Sequence, residues 1–149
     1  MKDLFDHTAA AEIQERLSKL QPDSKPLWGK MTVSQMLAHC QVPLQVALSE
    51  VHLKRSLFGK LFGQIAKKRM VAESDFKKNL PTAPQFIVKG DRNFNSEKQQ
   101  LQSLIQRFAL SDPDEIAKVP HTFFGPLTKK EWGVLQWKHI DHHLRQFGV

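Results

Sequence analysis

The chain has 149 residues, 40% of them hydrophobic and 25% charged, which fits one soluble globular domain and excludes a disordered chain. Its net charge is +7 and it holds one cysteine, so an internal disulfide and a Cys-rich zinc motif are both excluded. No apolar run approaches the roughly 20 residues of a membrane span, and MKDLFDHTAA carries acids where a signal peptide needs apolar residues, so a cytoplasmic location is expected.

The first predicted helix covers about Thr8 to Leu20, with Ile13, Leu17 and Leu20 on one face, and Pro22 and Pro26 close it. Thr32 and Gln35 form a capping box that opens a second helix, reaching about Leu53. Pro43 inside it removes the N–H that the His39 carbonyl would take, so a kink is expected one turn beyond His39. Ser34, Gln41, Gln45 and Ser49 make its polar side, which leaves His39 facing inward. A third helix from Ser56 to about Val71 places Leu57, Leu61 and Ile65 on one stripe, with Phe58 and Phe62 beside it.

From Ala72 to Asn95 the helical period disappears. Pro81, Pro84 and Gly90 punctuate this stretch, and QFIVK (85–89) reads as extended. A loop this long is often functional. Ser96 and Gln99 read as another capping box, opening a helix with Leu101, Leu104, Ile105 and Phe108. Asp112-Pro113 caps a short turn, and the Thr128–Glu131 box opens the last helix. Helices with short connections and little strand pattern predict an all-α, up-down type bundle forming a single domain over 1–149.

Charge is uneven. Between Lys54 and Lys78, eight basic residues (Lys54, Arg55, Lys60, Lys67, Lys68, Arg69, Lys77, Lys78) meet only Glu73 and Asp75, so this stretch carries +6 of the +7. A membrane-surface helix and a nucleic-acid face both fit. The reading preferred over both is the solvated outer face of a packed helix, one that could guide an anionic substrate.

The last helix, EWGVLQWKHIDHHLRQFG (131–148), carries the most chemistry. At about 100° per residue, Lys138, Asp141 and Arg145 share a side expected to face water. Trp132, Leu135, His139, His143 and Phe147 lie opposite, with Gln146 on the same arc. His139 and His143 stack one turn apart and could both reach one metal ion. Spacing alone slightly favours core histidines bonded to neighbours, because His-x-x-x-His pairs are common by chance. Position 140 is Ile, so the helix has no built-in general base of the His-Glu-x-x-His kind. His39 is the candidate third ligand, and three protein ligands leave an open coordination position.

The stretches MTVSQMLAHC (31–40), SLFGKLFGQIAKKR (56–69), PHTFFGPLTKKEW (120–132) and HIDHHLRQF (139–147) resemble the DinB/YfiT-like superfamily, specifically a bacterial branch of unknown function. The most specific block joins His139, His143 and Gln146 at a His-x3-His-x2-Gln spacing. The resemblance implies a four-helix bundle with a short extra helix and a long loop, and a zinc- or nickel-type metal on His39, His139 and His143. It also implies a homodimer and, from some relatives, transfer of low-molecular-weight thiols such as bacillithiol, mycothiol or glutathione.

Further residues divide by role. His121, Gln146 and Trp132 are candidates for supporting the ligands or touching a substrate; His121 could equally fix its turn, and Gln146 could be a core amide. His142 projects away from both neighbouring ligands and fits a packing role at the helix edge. Cys40 reads as a buried inert thiol, and His7 and His52 as surface residues. The function expected is a divalent-metal-dependent enzyme acting on a small molecule, the thiol transfer of the relatives being its most concrete form. The alternative is a non-catalytic metal- or ligand-binding stress-response protein. Nucleic acid is the weaker partner.

Overall fold

The computed structural model describes residues 1–54, 57–70, 72, 75–82 and 84–149, with the backbone alone at 57, 58, 60–62, 64 and 69. The expected ends of the third helix at Ser56 and Val71, the charges of Arg55, Lys60, Arg69 and Glu73, and the side chains of Leu57, Phe58, Leu61 and Phe62 lie outside the described residues.

Among the described residues the chain forms six α-helices and no strand: α1 (His7–Ser18), α2 (Val33–Ala47), α3 (Leu57–Met70), α4 (Phe94–Leu110), α5 (Pro113–Ala117) and α6 (Lys129–Gln146), with one 3-10 turn at Pro84–Phe86. The chain is therefore all-α. None of these helices is long and apolar enough to cross a membrane.

Local chemistry sets the helix starts. The Asp6 carboxylate accepts from the amides of Thr8 and Ala9 and caps α1. The Thr32–Gln35 and Thr128–Glu131 boxes form as expected at α2 and α6. α4 starts earlier than the Ser96–Gln99 pair predicts. Asn93 is its cap, with its side chain accepting from the Ser96 amide at 2.9 Å, so Ser96 already lies within the first turn. α2 stops at Ala47 rather than near Leu53, and Ser49 turns the chain away at φ 59°. It runs through Pro43 as one continuous helix. QFIVK does not form a strand, since its first two residues belong to the 3-10 turn.

α2 packs on α4 and α6, α1 packs on the same two helices, and α5 packs on α6. Ile13, Leu17, Leu37, Leu44, Ile105, Phe108 and Trp132 are fully buried between them. Each such side chain contributes about 1.5–3 kcal/mol of transfer free energy. The N-terminal segment joins this core through Leu4, whose amide donates to the Gly133 carbonyl at 3.0 Å.

One side of α6 differs from its sequence pattern. Lys138 and Asp141, expected to face water, are only 7% and 6% exposed. Lys138 Nζ donates to the carbonyls of Met70 and Ala72, each at 2.8 Å. Asp141 accepts from Arg16 at 2.6 Å and pairs with Arg145 at 3.0 Å. Gln41, expected on the polar side of α2, is likewise buried; its amide donates to the Glu97 carboxylate at 2.7 Å and ties α2 to α4. Partnered polar groups can be buried at little net cost, so a polar stripe need not be a wet one.

Candidate metal centre

α2 and α6 bring His39, His139 and His143 together. One ring nitrogen from each lies within 4.8 Å of the others. His39 Nε2 and His139 Nε2 are 3.0 Å apart. The three ring centroids are separated by 4.8–5.0 Å, with the rings steeply inclined to one another. His39 and His143 are buried and His139 is half-buried.

The outer nitrogens fix two tautomers. His39 Nδ1 lies 2.9 Å from the Phe86 carbonyl oxygen, which can only accept, so Nδ1 carries the proton and Nε2 the lone pair. Gln146 donates its amide to the Trp28 carbonyl at 2.7 Å, which presents its own oxygen to His143 Nδ1 at 2.8 Å. His143 Nδ1 therefore donates as well, and its Nε2 is a lone pair. A carbonyl behind a ligating imidazole is the usual way of aiming and strengthening it.

Burial keeps these rings neutral. It pulls His143 down to about 3, assisted by the neighbouring His39, and lowers His39 against the opposing effect of its Phe86 bond. It holds His139 well below the usual imidazole range, with His143 and His39 adding to the effect. His139 Nδ1 is buried without a hydrogen-bond partner. Two imidazole nitrogens at 3.0 Å need a shared proton or a shared cation between them. Neutral nitrogen donors on two packed helices suit a divalent transition metal such as zinc or nickel. The residues present fit such an ion.

The supporting residues reach further along the chain. Gly29 has φ +82°, and a Cβ there would meet Gln146 Nε2 at 2.5 Å. Glycine thus allows the Trp28–Gly29 backbone to approach Gln146, which in turn orients His143. His121 fixes its turn and also stands at the cavity. Its Nδ1 accepts from the amides of Phe123 and Phe124 at 3.1 and 3.2 Å, fixing the turn, and its ring also lines the cavity beside the histidines. Burial pulls it down to about 4, so it is neutral with its proton on Nε2. Trp132 lies behind it. The indole is fully buried, donates to the Val119 carbonyl at 3.2 Å and sits 5.3 Å from the His121 ring, away from the cavity wall.

His142 does stand at the edge, 5.7 Å from the Trp28 ring and 5.9 Å from Phe76. Cys40 is in the core, 3.7 Å from the Met36 sulfur, and burial pushes its thiol far up. His7 and His52 are exposed.

A cavity of about 1290 Å³ opens from the three histidines. Trp28, Phe76, Phe86, Phe123, Phe124 and Leu135 form much of its wall. Sequence reasoning missed the Phe86 carbonyl and the Trp28–Gly29 backbone, because a main-chain acceptor has no side-chain signature. Neither a curated protein nor a solved structure matches the chain. One family does match, over residues 2–148, and the chain belongs to it: the family described as a protein of unknown function (DUF1569).

Proposed function

We propose that the protein is a divalent-metal-dependent enzyme, with the metal on His39, His139 and His143 and a small-molecule substrate in the adjoining cavity. The observation that carries this reading is the pair of fixed tautomers. Phe86 and Gln146 hold His39 and His143 with their Nε2 lone pairs unprotonated, as ligands need to be. The mutual packing of α1, α2, α4 and α6 and the family-like His-x3-His-x2-Gln spacing support the DinB/YfiT-like bundle as its framework.

A zinc or nickel ion there would supply Lewis-acid polarisation of a molecule at a fourth position. The chain's own residues do the rest. Gln146 and the Phe86 carbonyl aim two ligands, and the apolar walls exclude water. His121 offers a neutral N–H to the cavity. The described cavity carboxylate, Asp75, is held by Arg145 at 2.7 Å, so no free carboxylate base stands beside the histidines among the described residues. Proton abstraction by a side-chain carboxylate is accordingly no part of the reading. Thiol transfer is the version that the resemblance implies.

Elemental analysis of protein purified without a His tag, after exposure to zinc or nickel, tests the centre. We expect close to one equivalent of metal, and His143→Ala should lose it while keeping its helical circular dichroism. Wild-type protein that stays metal-free would sink the proposal.

A further inference from the structure

We infer that the cavity selects a substrate with a bulky apolar body and a single anionic head that accepts hydrogen bonds. The head rests on the metal reading above; the body rests on the cavity walls alone.

At the inner end, three neutral imidazoles and no carboxylate would leave a divalent ion its full charge, which favours an anionic head. Beside them His121 presents its Nε2–H, and no described residue accepts from it. The other inner polar side chain, Gln146, is already committed, being bonded at both ends of its amide. The remaining polar side chains on the wall are the half-buried His142, beside Trp28 and Phe76, and Lys30, Asp75, Lys77, Asn79 and Thr82, which are exposed and so belong to the mouth; Asp75 is bound there to Arg145.

Between mouth and histidines the wall is aromatic and aliphatic. The apolar surface continues outward on Ile65, Leu80 and Ile87, which line the cavity yet remain 62%, 54% and 51% exposed. An apolar body would remove this surface from water. A molecule with charges along its length would lose hydration against these apolar side chains. This narrows the thiol reading: a multiply charged, peptide-like thiol fits these walls poorly, whereas an apolar thiolate or carboxylate fits them.

Calorimetric titration of the zinc-loaded protein with butanoate, hexanoate, octanoate and decanoate tests the body. Affinity should rise about fourfold per added methylene. Hexanedioate, with the length of hexanoate but a second charge, should bind at least about tenfold more weakly than hexanoate. Leu80→Asp, at an exposed position, should weaken decanoate by about tenfold and leave butanoate within about twofold. A flat series, or hexanedioate equal to hexanoate, overturns the apolar body even if zinc binds stoichiometrically. The same series on metal-free protein tests the head. It should keep the slope with every affinity reduced, and affinities unchanged by zinc removal overturn the metal-bound head while the body stands.

Discussion

The two walls of the cavity are built differently. The inner wall comes from α2 and α6, where His39, His143 and Gln146 are all buried and each is held by a named hydrogen bond. The outer wall comes from the end of α3 and the segment through residue 87, where Ile65, Leu80 and Ile87 stay exposed. The contacts that fasten it, among the described residues, include Lys138 to two carbonyls, Lys67 to Glu131, Arg145 to Asp75, and the Phe86 carbonyl to His39. The candidate ligands sit on two packed helices, and most of the surface that needs only to be apolar sits on the irregular chain beyond α3.

Acid should break the inner wall with the largest effect. Burial holds His143 and His121 at about 3 and about 4, below the ordinary 6.5 of an unfolded chain. Below pH 6.5 the unfolded state binds more protons, so this stability is complete above pH 6.5 and lost as pH falls toward the folded values. Each ring should cost about 2 kcal/mol by pH 5, or about 4 kcal/mol together. Denaturant melts of metal-free protein at pH 7.5 and 5.0 check this, and equal stabilities would contradict it. Lys138→Ala should loosen the outer wall by about 3 kcal/mol, because it strands two carbonyls and removes a buried side chain. A urea melt measures it, and the metal content should be unchanged. Gln146→Leu should act the other way round. It should lower metal affinity about 10–100-fold, or about 1.4–2.7 kcal/mol, in competition with a chelator, and leave the outer wall in place.

The parts legible in the sequence were those with a local signal. The capping boxes at Thr32 and Thr128 form, and the i, i+4 spacing of His139 and His143 does bring them to one place with His39. Where two local signals compete, the pattern misleads: Asn93 reaches the Ser96 amide first, so the Ser96–Gln99 box never forms. Where a polar residue meets a distant partner, periodicity cannot anticipate it. Lys138 reads as surface until the carbonyls of Met70 and Ala72, 66–68 residues away, are in place. The same holds for Gln41 and Glu97, and for His39 and the Phe86 carbonyl.

Cys40 has a practical consequence. It is the single cysteine of the chain, completely shielded in the core, and the residue beside it is His39. An alkylating reagent can reach that sulfur only when α2 leaves the core. The thiol is thus a built-in clock for opening events, and the slowing of its alkylation on zinc addition would give the coupling between ion capture and helix release in a single trace.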